Sequence, residues 1–139
     1  MMQHLGSFPA VRPRRLRNSA AVRDMVQEVH LVPADFIYPI FVVPGEGIER
    51  PIEGFAGVYQ YSIDRLLYHL PAWLYLGLKG VLLFGAATHK DATGSESYDP
   101  NGVLPEAISA IKGAHPDLLV ISDVCLCCYT DHGHCGPVH

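Results

Sequence analysis

"DLLVISDVCLCCYTDHGHCG", residues 117–136, holds all four cysteines of the chain and two of its eight histidines. Its first half is apolar and β-branched, which predicts a strand over residues 117–127. Its second half carries Gly133 and Gly136 and predicts a loop. Alternate residues of a strand share a face. Asp123, Cys125 and Cys127 are therefore expected to point one way, with Val124 and Leu126 pointing the other. The loop is expected to bring Cys135 back over the Cys125–Cys127 pair. The pattern is C-x-C-x7-C: two thiols on a rigid strand and a third on a returning loop.

A disulfide knot, a structural zinc module and a metal site that does chemistry all use clustered cysteines. Four thiols within eleven positions, beside His-Gly-His, are unlike the scattered free cysteines of a core. Metal binding is the favoured reading. Zinc takes thiolates at about 2.3 Å in a tetrahedron, closed in structural sites and open at one position in catalytic ones. The spacing differs from the C-x2-C pairs of zinc ribbons. Cys128 directly follows Cys127 and is expected on the opposite face. His132 and His134 are candidates for a fourth ligand or for partners that orient the ligands.

The rest of the chain places this strand in a series. "DFIYPIFV", residues 35–42, reads as a buried strand, although Pro39 is awkward there. Pro44, Gly45, Gly47, Pro51, Gly54 and Gly57 predict one long loop over residues 43–61. "SIDRLLYHLPAWLYLGL", residues 62–78, opens on a capping serine and an early acid, which predicts a helix. Pro71 is expected to kink or split it, and Gly77 or Gly80 to end it. "GVLLFG", residues 80–85, is a short apolar strand. Residues 86–104 are rich in turn formers and read as a loop, and "HKDATGSESYDPNG", residues 89–102, is a candidate lid over the strand ends. "PEAISAIKGA", residues 105–114, is a second helix with Pro105 in its first turn.

Strand, helix, strand, helix, strand implies an α/β fold with parallel strands and crossover helices. Functional groups in such folds collect at the C-terminal ends of the strands, which is where the cysteines lie. Ahead of this series stands an arm with Pro9, Pro13, Arg12, Arg14, Arg15 and Arg17. A short helix is expected from about residue 19 to 29, capped by Ser19.

The totals fit one domain. In 139 residues, 49% are hydrophobic and 17% charged, enough apolar material for a core. The net charge of −4 gives no general attraction to nucleic acid or to an anionic membrane. "LLYHLPAWLYLGLKGVLLFGAA", residues 66–87, is interrupted by His69, Pro71, Gly77, Lys79 and Gly80 and does not read as a membrane span. No secretory pattern opens the sequence, so the expected location is cytoplasmic, where disulfides are disfavoured. Glycine-rich phosphate motifs are absent.

"DVCLCCYTDHGHCG" resembles the metal loop of zinc-type porphobilinogen synthases, the delta-aminolevulinic acid dehydratases. Other segments are similar to that family in the same order: "RPRRLRNSAAVRDMVQEVHL" to its arm and first helix, "DFIYPIFV" to its first barrel strand. "LGLKGVLLFG" and "KDATGSESYDPNG" are similar to its second strand and the loop that follows. The resemblance implies a (β/α)8 TIM barrel, of which about three strands fall within residues 31–139, preceded by an arm and short helix over residues 1–30. It implies a lyase that condenses two molecules of 5-aminolevulinate to porphobilinogen on the way to haem and other tetrapyrroles. Cys125, Cys127 and Cys135 match the family's ligands for a catalytic Zn2+. His134 matches a histidine of a second zinc site in some members. Asp123 matches an acid facing the active site. The arm implies a homo-oligomer.

The sequence also departs from the family. "EGFAGV", residues 53–58, stands where a Ser-Met-Pro-Gly type sequence is usual, and Cys128 is an additional thiol. A complete (β/α)8 barrel takes roughly 250 residues. Lys79, Lys90 and Lys112 do not match the family's two substrate-binding lysines, so the 139 residues alone are expected to be an inactive portion. The alternative is a non-catalytic zinc-binding or subunit-interaction protein using the same loop.

Overall fold

The structure, a computed structural model, describes Gly6 and residues 8–136. These residues group into two units that divide between Leu31 and Val32.

The first unit holds a single turn of 3-10 helix at Arg15–Arg17 and helix α1, Ala20–Met25. Ser19 caps α1 as expected, its hydroxyl accepting the Val22 N–H at 3.2 Å. The helix is shorter than the 19–29 span that the apolar spacing suggests. It buries none of its residues, and a helix this short gains little stability without a packed face. Residues 1–5 and 7 of the expected arm lie outside the described residues.

The second unit is built on a five-stranded sheet. Strand β1 is Ile37–Val42, β2 Glu49–Pro51, β3 Tyr59–Tyr61, β4 Gly80–Gly85 and β5 Leu119–Ser122. The strand order is β2-β3-β1-β4-β5. β1, β4 and β5 run parallel, with Ile37 opposite Gly80 and Gly80 opposite Leu119. These are the three strands foreseen from the sequence. The crossovers between them are α2, Ile63–Tyr75, and α3, Val103–Ala114.

Both helices pack on one face of the sheet. Leu66 and Leu70 of α2, with Ala107 and Ile111 of α3, bury against Ile40, Val42, Val81 and Leu83. Each of these four sheet residues is almost wholly removed from water. The opposite face carries Ile37, Pro39, Phe41, Leu82, Phe84, Leu119 and Ile121, as the register requires. Ile37 and Leu119 remain more than half exposed there. A parallel sheet with helices on one side only has the layering of a barrel wall, whereas a doubly wound sheet carries helices on both.

Two expectations are corrected here. The loop of residues 43–61 contains β2 and β3, an antiparallel pair whose second strand adds in parallel to the end of β1. Its prolines and glycines mark the bends between them, and Pro51 is tolerated because β2 is the edge strand. Pro71 does not split α2, which continues to Tyr75. Pro71 lies on the exposed face, where the carbonyl that loses its partner can turn to water. Gly77, with φ of 100°, ends the helix.

Ser62 precedes α2, but its side chain accepts no backbone N–H of the helix's first turn. Its buried hydroxyl accepts the Ile48 N–H at 2.9 Å and donates to Asp64 at 2.6 Å. Asp64 in turn accepts the Gly47 N–H, and the Ser62 hydroxyl lowers its pKa. The serine and acid that read as a helix entry also tie down the preceding loop. Among the described residues, no helix is long and apolar enough to cross a membrane.

Gly85, the last residue of β4, has no room for a side chain. A Cβ there would lie 2.2 Å from the hydroxyl of Tyr129, a buried residue of the cysteine loop. Gly85→Ala is expected to cost about 1–3 kcal/mol in urea unfolding by overpacking. Combining it with Tyr129→Phe should recover most of that loss, because the next ring atom is 3.4 Å away. A double variant no more stable than Gly85→Ala would show that the clash is not what matters.

Candidate metal centre

The cysteine loop starts where β5 stops. The strand ends at Ser122, not at Cys127 as expected. One further backbone bond, from the Asp123 N–H to the Leu83 carbonyl at 3.0 Å, carries the pairing a residue beyond it. The chain then turns: the N–H groups of Tyr129 and Thr130 both donate to the Leu126 carbonyl, at 2.8 and 3.0 Å. Cys125 and Cys127 meet because of this turn, not because they alternate along a strand. The Cys127 N–H points at the Cys125 Sγ, at 3.4 Å.

The return limb brings in the third thiol. Cys135 Sγ lies 3.3 Å from Cys125 Sγ and 3.2 Å from Cys127 Sγ. All three sulfurs lie within 4.8 Å of one another, and among the described residues they are the only group of three or more Cys, His, Asp or Glu donors so arranged. Tetrahedral bonds of about 2.3 Å would separate the sulfurs by about 3.8 Å. The observed group therefore needs to open by only about half an ångström to take such an ion. Three soft sulfur donors suit zinc and not magnesium or calcium, which prefer oxygen.

Their titration belongs to the group. Cys135 accepts hydrogen bonds from the Cys127 and Cys125 thiols and faces the backbone N–H groups of Leu126 and Cys127. These donors lower its pKa to about 7. Cys127, donating to Cys135 and lying next to Cys125, is pushed up to about 12. Without a cation, one thiolate forms and makes the next costly.

The other residues singled out from the sequence fall around this group. Cys128 stays outside it, half-buried, its thiol pKa raised first by burial and then by Cys125 and Asp123. Asp123 is half-buried and lines a cavity of about 280 Å3 together with Cys125, Glu96, Leu104, Ile108 and Tyr129. The rings of His132 and His134 stack at 5.9 Å. His132 Nδ1 accepts the His134 N–H at 3.2 Å. His134 does not enter the sulfur group, and no second group of three donors closes around it among the described residues.

Sequence reading missed Thr130 and Asp91. Thr130 is 1% exposed and donates its hydroxyl to the His134 carbonyl at 2.9 Å. It also pairs as an isolated bridge with Asp91 of the loop after β4. That loop holds a turn of 3-10 helix at Ser95–Tyr98, and Glu96 closes its start by accepting the N–H groups of Thr88 and His89. The signal was present in "DATGS", residues 91–95, because an aspartate two residues before a threonine is a common way to bond the local backbone.

Comparison with known proteins identifies the family. The family described as Delta-aminolevulinic acid dehydratase matches residues 10–139. A delta-aminolevulinic acid dehydratase of Synechococcus elongatus is 46% identical over 129 residues, covering 93% of this chain and 40% of the relative. One from Bacillus subtilis is 44% identical over 127 residues, covering 91% and 39%. The crystal structure of delta-aminolevulinic acid dehydratase (porphobilinogen synthase) from Toxoplasma gondii, in complex with the reaction product porphobilinogen, superimposes with a TM-score of 0.82. It is 40% identical and covers 93% of this chain and 37% of that one. The chain thus spans about 40% of the length of these relatives.

Cobalt titration checks the donor set. Cys125→Ser, Cys127→Ser and Cys135→Ser are each expected to lose most of the thiolate-to-cobalt absorption, while Cys128→Ser keeps it. Loading releases thiol protons, so affinity should rise with pH. In the metal-free chain, thiolate ultraviolet absorbance should grow through about pH 7 by one thiolate, that of Cys135. Equal loss in Cys128→Ser, or three thiolates forming together near pH 7, would overturn this donor set.

Proposed function

The chain belongs to the delta-aminolevulinic acid dehydratase family, and we propose that it serves the condensation of two molecules of 5-aminolevulinate to porphobilinogen. In this reading Cys125, Cys127 and Cys135 hold a zinc ion at the C-terminal end of a barrel wall. The observation that carries it is the meeting of three sulfurs within 4.8 Å at the end of β5.

Cys125, Cys127 and Cys135 would hold the zinc, which would supply Lewis acidity toward a substrate carbonyl. The chain's own residues set the surroundings. The half-buried Asp123 shares a cavity with Cys125. Its carboxylate is suited to accept a hydrogen bond or proton from a substrate amine placed beside the metal. Tyr129 closes the floor of that cavity by packing against Gly85. His134, on the loop surface, is proposed to join a second zinc only with donors from elsewhere. Subunit contact through the basic arm over residues 1–30 is part of the same proposal, as is a cytoplasmic location.

The chemistry also needs a lysine amine that can form a Schiff base, held in a desolvated pocket. None of the three lysines here is so placed. Lys112 Nζ donates to the Leu118 carbonyl at 3.0 Å and to the Pro116 carbonyl. Lys79 directly precedes β4, at the end of the sheet away from the cysteines, and Lys90 is exposed.

The test measures porphobilinogen formed from 5-aminolevulinate with zinc, by two proteins. The 139-residue chain alone is expected to bind zinc without turnover. The same residues grafted in place of the matching part of the Bacillus subtilis relative should give zinc-dependent turnover, lost with Cys125→Ser. Turnover by the chain alone would overturn the argument from the lysines. A folded, zinc-loaded graft without turnover would instead favour a zinc-binding or subunit-contact role.

A further inference from the structure

Cys125 and Cys127 lie in the turn that follows the end of β5, whereas Cys135 sits on the return limb. What holds that limb is the loop after β4. The Asp91 N–H donates to the Tyr129 carbonyl at 3.4 Å, and the Asp131 N–H donates to the Asp91 carbonyl at 3.1 Å. This pair of bonds fixes Thr130 between them. The Thr130 hydroxyl then holds the His134 carbonyl, one residue before Cys135. A second link runs from His132 Nε2 to the Ala92 carbonyl at 3.3 Å.

The Asp91 side chain makes this loop rigid enough to serve as an anchor. Its Oδ1 accepts the Thr93 N–H at 2.8 Å, the Thr93 hydroxyl at 2.9 Å and the Ser95 N–H at 3.2 Å. Its Oδ2 accepts the Ser95 hydroxyl. These donors favour the ionised carboxylate and hold its pKa well below the usual range, so the charged form persists in mildly acidic solution. Gly94 sits in the left-handed region, φ 65°, and a Cβ there would stand 3.3 Å from both Thr130 Cγ2 and Tyr129 Cβ. The turn that Asp91 organises is thus packed directly against the limb.

The geometry points to Asp91 as a positioning residue for the metal centre: through Thr130 it places Cys135, and so sets how tightly the three thiolates hold their ion. The inference rests on the metal-binding reading of the cysteines. Asp91 touches no sulfur. Its effect is on the effective concentration of the third donor, the kind of outer support whose loss typically weakens a metal site by about tenfold or more.

The test measures zinc affinity by competition with a chromophoric chelator, and the absorption of the cobalt-loaded chain, in five proteins, with Cys135→Ser as the spectral reference. Asp91→Ala is expected to weaken zinc binding about tenfold or more and to lower the cobalt charge-transfer intensity toward that of Cys135→Ser. Asp91→Asn, which keeps an acceptor oxygen, should recover part of the loss. Thr130→Val keeps the shape of the side chain but not its hydroxyl, and should weaken zinc binding like Asp91→Ala. The Asp91→Ala, Thr130→Val double variant should be little weaker than the worse single one, because both act along one path. The fifth protein, the unaltered chain, separates the two ideas. If it binds no zinc, the metal reading fails and this inference falls with it. If it binds zinc and Asp91→Ala matches it in affinity and spectrum, with at most a lower Tm, only the positioning role is overturned. Should Asp91→Ala fail to fold, Thr130→Val and Ser95→Ala decide, and unchanged affinity in both overturns the inference.

Discussion

Burial of two helix stripes against one face of a parallel sheet is the constraint on which the other features depend. Leu66, Leu70, Ala107 and Ile111 are wholly shielded, and so are Val42, Val81 and Leu83 opposite them. Each such leucine, valine or isoleucine contributes about 1.5–3 kcal/mol relative to exposure. That burial fixes the register of β1, β4 and β5, because a slip of one residue would turn Val81 and Leu83 to the other face. Once the register is set, the ends of the strands line up. The loops after β4 and β5 then emerge side by side, and the Asp91–Thr130 bridge becomes possible.

Tyr129 couples that core to the cysteines. It is 8% exposed and its hydroxyl rests where a Cβ of Gly85 would stand. A loop rich in polar and small residues has few ways to hold a position by itself. Here it holds one by pressing a single aromatic ring against the end of a buried strand. The glycine at the close of "GVLLFG" is required by that contact as much as by any turn.

Much of this was legible in the sequence, for reasons that differ by segment. β4 spans the expected residues because an unbroken apolar run between glycines has one reading in a parallel sheet. α2 was legible from its entry signals and apolar spacing, yet Pro71 misled, since its cost depends on which side of the helix it occupies. β2 and β3 were hidden because three-residue strands leave no periodicity among prolines and glycines. The three cysteines were expected to converge and their sulfurs do, but the local reason differs. Strand alternation was invoked for Cys125 and Cys127, and a turn on the Leu126 carbonyl does the work instead. Asp91 was not singled out because "DATGS" signals only a local turn, while its bridge to Thr130 spans thirty-nine residues.

The electrostatics explain why such a loop needs so much outside support. Three sulfurs this close cannot all ionise by themselves: Cys135 loses its proton near neutral pH and Cys127 is thereby held protonated to about pH 12. Only a cation in their midst lets every proton leave, so ion binding must overcome both this proton cost and any looseness of the limb. The protons are a fixed cost of using thiols. The looseness is not, and the return limb that carries Cys135 is the part held by the Asp91–Thr130 bridge and the Thr130 hydroxyl. A fold that spends hydrogen bonds on Asp91 and Thr130 is therefore lowering the one part of the cost that structure can lower.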